Sequence, residues 1–239
     1  MGLDVTARGV RPWTILSRGG GGGAIMTLSA VLFDVDGVLV DSTAAHRRVW
    51  DAWARLRGLE ADAVWPLTFG RRPEDTVLLA APDLDPSQER VVLDRLLDQQ
   101  QHAFPAVDGA VELLLGLSVD AWAIVTSGDR ASVQARFAAA GLPLPRVQVY
   151  GGDVVQAKPA PECYLKAAAA LGLDPSACLV VEDAPAGVAA GKAAGCRVAG
   201  FTSTHDRDGL RPADLFFDTH ADTAAYLQAA GLLSTKSLE

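Results

Sequence analysis

The chain has 239 residues, 49% of them hydrophobic, with 29 acids against 21 Lys and Arg and a formal net charge of −8. That length suits one large domain, or a core with a small accessory domain. The acidic balance speaks against nucleic acid and anionic membrane surfaces as partners, and no apolar run is long enough to span a bilayer.

Residues 1–25 are foreign in composition: Arg8, Arg11 and Arg18, an isolated apolar Trp13-Thr14-Ile15-Leu16, then Gly19 to Gly23. They lack an apolar core of signal-peptide length and read as a flexible arm, with the natural start expected at Met26. At the other end, residues 233–239 read as a tail.

From Ser29 the chain alternates. Apolar strand-like runs fall at 30–35, 120–126, 147–150, 178–182, 197–201 and 214–217, with Ala-rich helical stretches at 130–140, 160–171, 186–194 and 222–230. This alternation predicts a parallel sheet covered on both faces, with ligands beyond the carboxyl ends of the strands. Residues 42 to about 104 break the pattern and read as helices only. There His46, Trp50, Trp53 and Arg57 recur at helical spacing, Pro73-Glu74-Asp75 suits a first helical turn, and a helix runs from Pro86 to Gln101. The expected architecture is α/β: a parallel-sheet core (26–41 and 106–232) with an inserted helical cap (42–105) able to close over a site. Cys163, Cys178 and Cys196 lack metal-ligand spacing and read as buried free thiols of a reducing, cytoplasmic compartment.

Four predicted strand ends carry chemistry. The first apolar run ends in Asp34-Val35-Asp36-Gly37. In extended chain, successive side chains alternate faces, so Asp34 and Asp36 point the same way. A random chain of this composition would hold D-x-D-G about one time in five, so the pattern needs support from downstream. The second end, Val125-Thr126-Ser127-Gly128-Asp129, offers hydroxyls and free N–H groups that suit phosphate oxygens, or simply cap a helix. The third is Lys158-Pro159-Ala160-Pro161, where prolines frame a lysine that is otherwise an ordinary solvated side chain. The fourth, Val181-Glu182-Asp183, repeats the acidic ending, although Asp183 alone would also serve as a helix cap. Acids at two strand ends together suit Mg²⁺, which prefers carboxylates, water and substrate phosphate.

These four segments, in this order, resemble the haloacid dehalogenase superfamily from about Ser29 to Gly231. Within it, Lys158-Pro159-Ala160-Pro161-Glu162-Cys163-Tyr164-Leu165 and Val181-Glu182-Asp183-Ala184-Pro185-Ala186-Gly187 are similar to sugar and polyol phosphatases of the 2-deoxyglucose-6-phosphatase and glycerol-phosphatase group. Asp36-Gly37-Val38 with His46 and Trp50 is also similar to β-phosphoglucomutase. The resemblance implies a Rossmann-like three-layer core and a Mg²⁺-dependent phosphatase acting on a small phosphorylated sugar or polyol, as a monomer or weak dimer. It implies Asp34 as nucleophile, Asp36 as acid and base, and Thr126, Ser127 and Lys158 around the phosphate. Asp34, Asp36 through its carbonyl, Asp183 and Glu182 are the implied metal residues. His46, Arg71 and Arg72 are candidates for substrate contact, the two arginines being equally readable as solvated surface charge. Phe69 stands where related sugar phosphatases often carry a His. The competing expectations are a sugar phosphomutase, whose cap must bind a second phosphate, and a non-catalytic phosphate-binding or regulatory protein. Dehalogenase chemistry is disfavoured by the presence of Asp36.

Overall fold

The computed structural model describes residues 27–100 and 104–233. The expected arm, Met26, Gln101 and residues 234–239 lie outside the described residues. Six strands form one wholly parallel sheet: β1 (Ala30–Phe33), β2 (Trp122–Val125), β3 (Val147–Val149), β4 (Cys178–Glu182), β5 (Arg197–Phe201) and β6 (Leu215–Phe217). Their order is β3-β2-β1-β4-β5-β6, which puts the first strand in the middle. All six lie at the expected runs; β4 and β5 fill theirs, and the other four are trimmed at their ends.

The sheet is buried on both faces, as continuous apolar strands require. Val31 and Phe33 of β1 join Ile124, Leu179 and Val181 in one apolar layer, while Ala30 and Leu32 join Ala123, Val125 and Val180 in the other. That division follows the two-residue period of a strand.

The insertion after β1 holds α1 (Thr43–Arg57), α2 (Ala61–Val64), α3 (Pro73–Ala80) and α4 (Pro86–Asp98). Five helices cover the sheet: α5 (Ala110–Leu115), α6 (Arg130–Ala140), α7 (Glu162–Leu171), α8 (Pro185–Ala193) and α9 (His220–Ala229). Side chains of α5, α6 and α9 fill the first layer, and those of α7 and α8 fill the second. The sequence pattern did not foresee α5; its six residues are too few to display a helical period. Leu233, expected in a tail, instead forms an antiparallel bridge with Leu117.

The two connections to the insertion run side by side. Val40 bridges Ala106, the Asp41 N–H donates to the Pro105 carbonyl at 2.8 Å, and the Val107 N–H donates to the Leu39 carbonyl at 3.0 Å. The insertion has its own apolar cluster, built on Val49, Trp50, Trp53, Val64, Val77 and Leu93. Within it Glu89 is only 6% exposed. One of its carboxylate oxygens accepts from the Trp53 indole N–H at 2.7 Å and from Arg57 Nε at 2.8 Å. Removing that acceptor strands a buried indole donor. Glu89→Ala is expected to lower unfolding stability by about 1–3 kcal/mol, measured by urea denaturation. A loss within error of zero would refute this role.

Candidate active site

The expected chemistry-bearing residues meet beyond the carboxyl ends of β1, β2 and β4, the strands on either side of the point where strand order reverses. Crevices there are the usual ligand sites of such sheets. Asp34 follows β1, and Glu182 ends β4 with Asp183 next to it. Lys158, 4% exposed, crosses beneath them. Its ammonium donates to Asp34 Oδ1 at 2.6 Å, to Glu182 Oε1 at 2.7 Å and to the Val125 carbonyl at 3.1 Å. All three donors are satisfied, so the framed lysine is no solvated surface charge.

Glu182 is held equally firmly. Its Oε1 also accepts from the buried Tyr164 hydroxyl at 2.9 Å, and its Oε2 accepts from the Ala184 N–H at 3.1 Å. The Asp183 carboxylate accepts from Thr204 Oγ1 at 2.6 Å and has no cationic partner among the described residues. Asp183 does not cap α8; Ala184 stands at that position and the carboxylate faces the site.

Oxygens of Asp34, Glu182 and Asp183 lie within 4.8 Å of one another. Burial first, then repulsion from Glu182 and Asp34, pushes the Asp183 carboxyl well above the usual carboxylate range. Burial likewise raises Asp34, to about 7, against the opposing pull of Lys158. Burial works against the Lys158 ammonium, but Asp34 and Glu182 hold it charged above its ordinary range. Three acids against one ammonium leave a buried excess of negative charge. A divalent cation would relieve it, and Asp34 and Asp183 carry the oxygens that Lys158, Tyr164 and Ala184 leave free.

The neighbouring hydroxyls belong to the same corner. Thr126 Oγ1 accepts from the Gly128 N–H at 3.0 Å, while Ser127 Oγ donates across to the Gly70 carbonyl of the insertion at 2.8 Å. The helix-capping role falls instead to Asp129, whose Oδ1 accepts from the Ser132 N–H at 2.9 Å. Asp34, Asp36, Thr126, Ser127, Asp183, His46 and Arg71 all line one cavity between core and insertion. Arg72 does not. Its guanidinium pairs with Asp75 at 2.8 Å and reaches the Val154 carbonyl at 3.4 Å, because α3 starts at Pro73 and places an acid three residues on.

Sequence reasoning missed Arg136. This buried guanidinium on α6 pairs with Asp36 and lies 5.2 Å from the Phe104 ring. Burial raises the Asp36 carboxyl, but Arg136 and then His46, 3.9 Å away, outweigh it and hold the group below its ordinary value. Burial also lowers the His46 imidazole, against Asp36. No local signal marks Arg136, since an Arg on an Ala-rich helix resembles any solvated one. Thr204, reaching Asp183 from beyond β5, was missed for the same reason.

Comparison with known proteins agrees with this geometry. The family described as haloacid dehalogenase-like hydrolase matches residues 28–195. Hexitol phosphatase A of Escherichia coli K12 is 39% identical over 195 residues, 80% of this chain and 90% of that protein. Glycerol-1-phosphate phosphohydrolase 2 of Saccharomyces cerevisiae is 36% identical over 198 residues, 78% of this chain and 79% of its own. Among solved structures, a HAD family hydrolase of Deinococcus radiodurans R1 with bound phosphate and sodium superposes with a TM-score of 0.67 at 29% identity. It covers 87% of this chain and 99% of its own.

The acids also dictate their neighbours. Gly187 lies in the first turn of α8, and a Cβ there would overlap the Glu182 carboxylate. In a helix, Gly→Ala ordinarily stabilises by about 0.5–1 kcal/mol. Gly187→Ala is expected to reverse that sign and destabilise by about 1–3 kcal/mol, as overpacking does. A raised melting temperature in thermal unfolding would contradict the packing described.

Proposed function

Because the chain belongs to the haloacid dehalogenase-like hydrolase family and is a phosphoric monoester hydrolase, we propose that it dephosphorylates a small phosphorylated sugar or polyol through an aspartyl-phosphate, with Mg²⁺ as its metal. The observation that carries this reading is the buried Asp34, fixed by Lys158 and facing the cavity beside an Asp183 that has no cationic side-chain partner among the described residues. The polyol and sugar phosphate substrates named for the relatives support the substrate class.

Asp34 attacks phosphorus and the ester P–O bond breaks, while Asp36 delivers a proton to the departing oxygen. Water then attacks the phosphorus of the aspartyl-phosphate, Asp36 takes the water's proton, and inorganic phosphate leaves with Asp34 regenerated. The Arg136 ion pair favours the carboxylate form of Asp36, which the second step needs. Substrate binding therefore has to loosen that pair before the first step. Thr126 and the Ser127 N–H face the equatorial oxygens, where phosphoryl transfer gathers charge, and the Lys158 ammonium balances that charge from beneath Asp34. His46 and Arg71 contact the substrate from the insertion side. Asp34, the Asp36 carbonyl and Asp183 would hold the Mg²⁺, with Glu182 behind them; bound there, it offsets repulsion between the carboxylates and an anionic phosphoryl group.

Among the described residues no helix is long and apolar enough to cross a membrane, and the three cysteines are free and buried, as a reducing cytoplasm allows.

Asp34→Asn is expected to abolish release of inorganic phosphate from a panel of sugar and polyol phosphates, and Asp36→Asn to slow it by about 10²–10⁴. Activity retained by purified Asp34→Asn would refute the nucleophile assignment. Millimolar Mg²⁺, binding only the folded state, is expected to raise the melting temperature. Asp183→Asn should erase that shift and chelation should stop turnover. A shift of equal size in the variant would remove Asp183 from the metal site.

A further inference from the structure

We propose that the insertion side of this cavity selects substrates whose non-phosphate part is uncharged and hydroxylated, and that Arg90, Asp94 and Asp129 make the selection. The proposal rests on the phosphatase reading above and goes beyond it by naming what excludes a second anion.

Arg90 projects from α4 into the cavity, and Asp94, Asp129 and Ser132 line it too. Its guanidinium meets Asp94 Oδ1 at 2.7 Å, Asp129 Oδ2 at 3.0 Å and Glu74 Oε1 at 3.2 Å. Three acids for one cation leave this wall negative. The set is no solvated pair on one helix: Asp129 comes from the core, whereas Arg90, Asp94 and Glu74 come from the insertion. Asp129 is also pinned, because its other oxygen caps α6 through the Ser132 N–H.

A second phosphate at this wall would meet carboxylates, since Arg90 is shared among three acids and the buried Arg136 guanidinium is taken by Asp36. Like charges brought together on binding are strongly discriminating. Hydroxyl groups fit the wall well. They donate to Asp94 and Asp129 and accept from Arg90, while the Trp50, Trp65 and Phe69 rings on the same cavity suit carbon-bound faces. One feature opposes this. Arg71 lines the cavity with no carboxylate partner among the described residues, its Nη1 donating only to the Leu67 carbonyl at 3.3 Å. A second phosphate admitted to the cavity would go to Arg71.

The test compares kcat/KM for a hexitol 6-phosphate and the matching hexitol 1,6-bisphosphate. The wild-type chain is expected to favour the monophosphate by at least about tenfold. Asp129→Asn removes the charge but still caps a helix, and should raise the bisphosphate-to-monophosphate ratio by at least about tenfold. Arg90→Gln leaves the acids uncompensated and should lower the same ratio. Opposite signs are the signature of electrostatic selection. Movement of both variants in one direction, as loosening of the lid would give, overturns the proposal. So does a wild type that turns over the bisphosphate as well as the monophosphate, which would assign the second anion to Arg71. A folded wild type that hydrolyses neither ester defeats the phosphatase reading itself, and the selection with it.

Discussion

The structure turns on one buried ammonium. Asp34 and Glu182 end neighbouring parallel strands, and Asp183 stands beside them, all buried. Carboxylates packed this closely out of water would push one another toward the neutral form. Lys158 works against that at Asp34, although burial still leaves the group raised, and it donates to Asp34, to Glu182 and to the end of β2 at once. A single side chain thus ties three strand ends together and supplies the field in which Asp34 sits. Its own charge is secure only because both acids are present, so the group acts as one unit. Deleting any member leaves an uncompensated buried charge, which costs more than the net worth of the pairs.

Everything near this unit is shaped by it. Gly37 has φ +81°, and a Cβ there would overlap the Asp183 carboxylate as well as strain the backbone. Gly187 gives way to Glu182 in the same manner. Tyr164 spends its hydroxyl on Glu182 and lays its ring 5.2 Å from the Lys158 ammonium. These are residues of the loops and first helical turns that follow the strands. The motif glycines and the tyrosine are therefore consequences of the acids rather than separate features.

Much of this was legible beforehand, and the reason is physical. Strands buried on both faces must be continuous apolar runs, so each acidic or hydroxylic ending stood out against its strand. The partners that came from helix faces did not stand out. Arg136 reaches Asp36 across a separation of 100 residues. Arg90 shows in sequence only its i,i+4 relation to Asp94, the commonest guise of a solvated pair, while its bond to Asp129 exists only in the folded chain. Arg72 erred the other way. Next to Arg71, it was as readable as a ligand contact as a surface charge, and Asp75 one turn on claims it.

The insertion and the core touch through several polar contacts, beside an apolar patch where Ala45, Leu97 and Phe104 join the core cluster. Ser127 to the Gly70 carbonyl, Arg72 to the Val154 carbonyl and Arg90 to Asp129 are polar, and the Phe69 ring meets the His205 ring at 4.6 Å. The insertion keeps its tryptophans, Val77 and Leu93 in its own cluster. Separating the two parts would expose hydrogen-bonding groups that water can satisfy and, of apolar surface, the patch around Ala45, Leu97 and Phe104. Both connections cross at one place, the Val40–Ala106 bridge, so any movement of one part against the other would turn about that line. The proposed reaction needs water excluded while phosphorus is attacked and admitted to hydrolyse what forms. A seam of mainly polar contacts, joined to the core at one place, suits both demands, because parting it would leave the interior of each apolar cluster intact.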